Sequence, residues 1–589
     1  MLVKKIIDRA KLVDAAMQRI ECDTTIENIH LINVVTSEIY PASVDILDGM
    51  IVRVRNEGEK TTLPSKEIID GEGKYLLPGF IDPHMHVESS HMVPENFGKT
   101  AVTWGTTTVV TDPHEIGNVD GIEGIKYMIE SAKRAPLRQY ILAPSCVPAI
   151  PSLESSGASF GPDEISELLE LDRVIGVAEL MDYVGVYNND PRMRGIIDEA
   201  IKTNTYRQGH APYVTGERLA AYITAGVESD HEIQNKEEML EKIRMGMNVN
   251  IKAVSFHDQT KDFVSVLKTL KHIDNVSLCT DDVHVGEVTH TGHINYNIRR
   301  VIEEGLDTLD AIRLTTINPA KEFNFKDLGK IAPGYIADLQ LVEDLEFVKK
   351  PSMVFVDGKL VSKDGMLTGD KQGVAWTNDK NTINIPNINN KNMFVLKVPV
   401  TSAKTVEVAT IQSELFNRVA FYTELPIIGE TVDISNNDDL CFISSINRYG
   451  TGELTIALLK DFGLQEGAIA TSVSHDNHNI TLIYNDPKDA YVALQKLKEV
   501  GGGVVTVRNQ KVLSCLELPV GGLMSPLPNK ELASMANETQ ASIQELCNNP
   551  RYKLLSVFLF SLPAIKGYCI TNKGVVSGDT KHFFPIFNI

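Results

Sequence analysis

Residues 79–97, GFIDPHMHVESSHMVPENF, place three histidines and two glutamates within nineteen positions, directly after an apolar run. His84 and His86 are two apart. In an extended strand residues i and i+2 face the same side, so both imidazoles can reach one ion. Farther along, Glu179, His210, His231 and Asp281 each close an apolar, strand-like run. Four imidazoles and two carboxylates form a nitrogen and oxygen donor set that suits one or two divalent cations, with positions left for water or substrate. Taken singly, each residue has a plainer reading. A histidine after a strand is commonly capped or solvent-facing, Glu179 alone reads as a surface carboxylate, and Asp281, followed by Asp282, can cap a helix. The joint pattern favours a metal site, because chance would scatter such residues over both strand ends and into helices.

The elements that must position these residues are eight apolar runs: GFIDPHMH, TTTVVTDPH, QYILAPSCV, VIGVAEL, TYRQGHAP, AGVESDHE, GMNVNIKAV and NVSLCTDD. Their spacing leaves room for a loop and a returning helix after each, the signature of parallel strands in a right-handed βα repeat. Eight such units predict an α/β fold, a closed (β/α)8 TIM-like barrel over residues 77–332, with the ligand-type residues at the C-terminal strand ends where barrel enzymes keep their active sites. An open doubly wound sheet is the competitor, but no G-x-G-x-x-G follows the first strand.

Before the barrel, IENIHLINVV and SVDILDGMIVRVRN read as hairpin strands with an Asp-Gly turn, and a similar phrase returns in SMVFVDGKLV. Residues 25–76 and 333–375 are therefore expected to form one small β-sandwich domain, preceded by an amphipathic helix within 1–24. The polar, Asn-rich stretch 366–392 reads as a linker or long surface loop, and 393–589 as a separate α+β domain. Gly501–Gly503 lacks a following Gly-Lys-Ser/Thr, so it reads as a turn leading into a strand and not a phosphate cradle. Within the last domain SHDNHN (474–479) presents His475 and His478, either as ligands of another ion or cover of the barrel mouth, or as a polar turn between strands.

A chain of 589 residues calls for more than one domain. Its 43% hydrophobic and 23% charged residues are those of a globular protein, and a net charge of −21 argues against nucleic acid or an anionic membrane as partner. Seven scattered cysteines without C-x-x-C spacing indicate neither a disulfide framework nor a thiolate zinc site. With no apolar run near the length of a bilayer span, a cytoplasmic protein is expected.

LPGFIDPHMHVESS resembles the amidohydrolase superfamily. With TTTVVTDPHEIGNV, GVAELMDYVGV, GHAPYVTGERLAAYITAGVESDHE, LCTDDVH and INPAKEFNFKDLGKIAPGYIADL it resembles the adenine deaminases of that superfamily, a likeness that continues through GAIATSVSHDNHNI and GGGVVTVRNQKVLSCLELPVGGLMS. The resemblance implies two divalent ions, manganese or iron, with His84 and His86 on the more buried one and His210 and His231 on the other. It implies that Glu179 bridges them and that Asp281 touches the buried ion and handles protons, the two together being the catalytic pair. Hydroxide generated at the metals would attack C6 of adenine, giving hypoxanthine and ammonia in a homodimer or larger assembly. A different purine, a cyclic amide, or a purine-binding paralogue with weakened catalysis are the alternatives.

One departure stands out: after strand seven the family pattern is an acidic R-E-G-S run, whereas this chain has Lys252-Ala253-Val254-Ser255. Glu88, Glu115 and Asp258 lie in post-strand loops as substitutes for the missing acid, and Glu88, Glu115 and Asp282 are the candidate substrate contacts.

Overall fold

The strands β1 (Phe80–Met85), β2 (Thr106–Thr111), β3 (Arg138–Ala143), β4 (Val174–Leu180), β5 (Tyr206–Gly209), β6 (Ser229–Asp230), β7 (Asn248–Lys252) and β8 (Val276–Cys279) run parallel in a computed structural model. It describes residues 8–252, 258–369, 373–377, 380–386, 390, 392–399, 402–414, 417–547 and 554–589. The ladder closes on itself: Asp281 N donates to His84 O (3.1 Å) and His86 N to Asp281 O (3.1 Å), while Glu228 N donates to Arg207 O (2.9 Å) between β5 and β6. All eight runs read from the sequence supply a barrel strand. β1 and β2 are buried along their whole length, as expected for strands covered on both faces.

The helices follow the usual amphipathic logic. In Pro191–Thr203 the buried residues are Met193, Ile196, Ile197 and Ala200, the i, i+3, i+4, i+7 stripe of a helix facing a core. Asp190 caps it by accepting from Arg192 N and Met193 N, and Asn204 ends it with a φ of 51°.

One eight-stranded sheet gathers chain from both sides of the barrel, in the order 366–367, 359–363, 353–356, 339–342, 67–78, 24–33, 38–47, 50–56. The two Asp-Gly turns behave alike. Asp48 and Gly49 have φ of 53° and 82°, Asp357 and Gly358 of 51° and 71°, the double positive φ of a tight hairpin matched to strand twist. The sheet curls until Ile51 N meets Tyr335 O (2.8 Å), enclosing Ile26, Val44, Ile46, Leu76, Leu339 and Phe355.

The C-terminal region is built on a second large sheet, ordered 431–432, 420–428, 405–412, 454–460, 440–446, 480–484, 468–471, 503–508, 511–517, with 587–588 pairing against 405–412. Alternate residues divide between two cores. Phe442, Ala468 and Val505 pack with Ala493 and Leu497 of helix Pro487–Val500, while Ile443, Ile469 and Val504 join the apolar core that runs into the barrel. Gly501, with a φ of 82°, ends that helix and leads into strand Gly503–Arg508. Docking is also polar: the Asn96 amide donates to Pro526 O (2.8 Å) and Leu527 O (2.9 Å). No helix among the described residues is long and apolar enough to cross a membrane.

Arg138, the first residue of β3, ties the barrel to the eight-stranded sheet through ion pairs with Asp338 and, at 2.5 Å, Asp357. Asp338 is buried. Arg138→Leu would leave that carboxylate unpaired, and such a loss typically costs about 3–5 kcal/mol. A lowered denaturation midpoint is the expected result, and an unchanged urea curve would rule out this role for the pair.

Candidate metal centre

The six side chains singled out by the sequence meet at one end of the barrel, all buried. His84 Nε2 lies 3.0 Å and His86 Nε2 3.2 Å from Asp281 Oδ1. Glu179 sits between the two histidine pairs. Its Oε1 is 3.3 Å from His86 Nε2, and its Oε2 is 2.5 Å from His210 Nδ1 and 3.3 Å from His231 Nε2. The His84 and His231 rings stack at 3.9 Å between centroids.

Local structure explains the convergence. His84 stands near the end of β1 and His86 just past it, two residues apart in extended backbone, and Gln208 fixes the His84 ring with a contact of 2.8 Å at Nδ1. Asp281 adopts a φ of 56°, a conformation that aspartate tolerates better than most residues and that is often found at functional sites. Gly209 precedes His210 because β5 and β6 approach closely there; a Cβ would stand 2.2 Å from Ser229 O. The buried Lys242 ammonium holds the neighbours of both distal histidines, pairing with Asp230 Oδ2 (2.7 Å) and donating to Ala211 O (2.9 Å).

The electrostatics are those of a cation site. Burial alone would raise the Glu179 carboxyl, but His210 and His231 outweigh it and hold the group well below the ordinary carboxylate range. Asp281 is treated likewise: burial is overcome by the Lys252 ammonium and the His84 and His86 contacts. Burial lowers His210, yet Glu179 lifts it to about 9, whereas burial and His84 depress His231. Burying six such groups is costly without a partner for their lone pairs. His231 Nδ1 has no hydrogen-bond partner among the described residues. The imidazole and carboxylate donors, gathered in overlapping clusters, fit divalent cations.

The centre opens into a cavity of about 1430 Å³ lined by barrel residues and by the C-terminal domain, including His475 and Asp476. Asp282 and Glu115 line it. Asp282 accepts from Ser89 Oγ, and burial together with Asp281 pushes its carboxyl up. Glu88 is buried outside the lining residues, with Oε1 accepting from Ile116 N (3.3 Å); burial and Glu115 push its carboxyl up to about 7. Asp258 also lies outside that lining, 51% exposed and paired with Arg300 at 2.8 Å. Of the strand-seven departure, Ala253, Val254 and Ser255 fall outside the described residues. Lys252 is described: its ammonium pairs with Asp281 Oδ2 (2.9 Å) and with Glu232.

Sequence reasoning missed His114. Its Nδ1 is 3.1 Å from Asp112 Oδ2 and 3.4 Å from Glu179 Oε1, and its ring meets His86 edge-on at 4.7 Å. A signal was present: Asp82-Pro83-His84 at the end of β1 recurs as Asp112-Pro113-His114 after β2. Glu232, another cavity residue, follows His231 and carried no separate signal. His475 and His478 both meet Glu115, His475 Nδ1 at 2.6 Å from Oε1.

Residues 75–361 match the amidohydrolase family, and residues 420–582 match the adenine deaminase C-terminal domain. An adenine deaminase of Kosmotoga olearia is 35% identical over 98% of this chain and 98% of its own length. One of Moorella thermoacetica is 34% identical over 97% and 96%, and one of Clostridium botulinum 34% identical over 99% and 98%. Matched along nearly its full length by these relatives, and carrying both the barrel and the C-terminal domain, the chain belongs to the adenine deaminase family of amidohydrolases.

Proposed function

We propose that this chain hydrolyses adenine to hypoxanthine and ammonia at two divalent cations, manganese or iron, held by His84, His86, Glu179, His210, His231 and Asp281. The observation that carries the reading is the division of Glu179, one oxygen toward His86 and the other toward His210 and His231. A carboxylate so placed suits a bridge between two ions. Ions held there supply acidification of a water molecule, making a nucleophile available near neutral pH.

The protein's own groups do the rest. Asp281, held ionised by Lys252 and the two proximal histidines, takes a proton from the attacking water and delivers it to the departing amine. Water thus adds at C6 and ammonia leaves. Lys252 keeps Oδ2 of Asp281 engaged, so Oδ1 is the atom turned to the metal centre. Asp282 and Glu115 stand on the cavity wall where a substrate edge can reach them. The family resemblance suggests a homodimer or larger assembly, and the cytoplasmic location expected from the sequence is kept as part of this proposal.

The manganese-loaded protein should hold two metal equivalents and release ammonia from adenine in preference to adenosine, guanine and cytosine. A fully loaded protein that leaves adenine intact would refute the assignment. Glu179→Gln is expected to retain fewer than two equivalents on metal analysis, and full retention would remove its bridging role. Asp281→Asn should lower kcat by roughly 10²–10⁴, the usual contribution of a positioned acid–base group, with a smaller change in KM. Near-normal turnover in steady-state assays would exclude it as the proton carrier.

A further inference from the structure

The turn at 474–479 reaches across from the C-terminal domain and meets Glu115 on barrel helix His114–Ala132. Glu115, His475 and His478 cluster closely enough to suggest a further cation site. The tautomer of His478 argues otherwise. Ser474 N–H donates to His478 Nδ1 at 3.1 Å, so that nitrogen is the acceptor and the ring proton of the neutral imidazole resides on Nε2, facing Glu115. A proton occupies the corner where an ion would need a lone pair. The cluster is a hydrogen-bonded clamp on the Glu115 carboxylate.

This clamp orients His475. Its Nδ1–H donates to Glu115, and Glu115 outweighs burial to lift the ring to about 9. His475 is therefore an imidazolium whose second N–H, on Nε2, has no hydrogen-bond partner among the described residues and belongs to a residue that lines the cavity. The next residue is more telling. Asp476 is 3% exposed and lines the same cavity, and its Oδ2 has no hydrogen-bond partner among the described residues. A buried carboxylate oxygen left unpaired costs free energy, and unpaired groups of this kind call for a partner outside the protein. Asp476 Oδ1 lies 3.7 Å from His114 Nε2, and the opposite nitrogen of that ring lies 3.4 Å from Glu179 Oε1. One imidazole therefore separates Asp476 from the metal centre.

We infer that Asp476 accepts the imidazole-ring N–H of a free purine base while His475 donates to a ring nitrogen of the same base. This assignment rests on the reading of the centre as a purine deaminase. It makes the C-terminal turn the element that selects a free base over its nucleoside. The nucleoside carries a sugar carbon in place of that N–H, leaving Asp476 without a donor. Sites built to hydrogen-bond a substrate N–H reject analogues that lack it far more strongly than apolar pockets reject a missing methylene.

Binding of adenine and 9-methyladenine to the manganese-loaded full chain tests the assignment, read as the KM of adenine and the competitive Ki of 9-methyladenine while adenine is turned over, and as equilibrium binding if adenine is left intact. Wild type should prefer adenine by about tenfold or more, the scale of one hydrogen bond to a charged group. In Asp476→Ala adenine affinity should fall by a similar factor, the preference should shrink toward unity, and KM should rise more than kcat falls. His475→Gln should weaken adenine without restoring 9-methyladenine. If Asp476→Ala loses manganese or folds poorly, the same ratio is read in Asp476→Leu, which fills the space but offers no acceptor. An unchanged ratio in the metal-loaded variant, or equal binding of the two bases by wild type, overturns the proposal. Selective binding without ammonia release refutes the deaminase reading and leaves the subsite standing. Failure of wild type to bind either base overturns both.

Discussion

The centre depends on one buried carboxylate. Glu179 is 2% exposed and faces His86 with one oxygen and His210 and His231 with the other. Such a group is tolerable in a low-dielectric interior only where positive charge or donors surround it. The geometry is demanding, because the two oxygens of a carboxylate are rigidly linked and must serve partners from three strands. The closure of the barrel between β8 and β1, made by the backbone bonds around Asp281, brings those partners within reach. Lys242 and Gln208 then fix the histidines from behind, in the way supporting residues set the orientation of metal ligands.

The barrel interior holds two populations of carboxyl group. Below the centre, burial pushes Asp82 and Glu322 up to about 7; Thr280 partners Asp82, while Tyr206, Asn250 and Ser277 partner Glu322. At the mouth, the buried Glu179 and Asp281 are held well below their ordinary range because imidazoles and the Lys252 ammonium outweigh burial. Environment separates the roles. The lower carboxyls join neutral hydrogen-bond networks, and the upper ones present negative charge where a cation can use it.

The C-terminal domain is part of this arrangement. It shares an apolar core with the barrel, its residues form part of the cavity wall, and its turn engages Glu115 of the helix that begins with His114. Removing the domain would uncover apolar surface and leave Glu115 without His475 and His478.

Eight strand runs, the H-x-H spacing at the end of β1 and the six ionisable side chains that converge at the C-terminal strand ends were legible in the sequence. Burial on both faces makes barrel strands continuous apolar runs, and the positions just past them carry the chemistry. The two Asp-Gly turns were legible for the same local reason. The roles of His114, Glu232 and Lys252 were not, because each depends on a neighbour brought close by closure of the barrel. His475 and Glu115 are 360 residues apart in the chain, and no periodicity relates residues at that separation. Local physics, namely strand alternation, turn stereochemistry and helical spacing, fixed what the elements are and which residues terminate them. Only the tertiary structure decided which charges face one another, since that depends on register and domain docking, which local spacing does not encode.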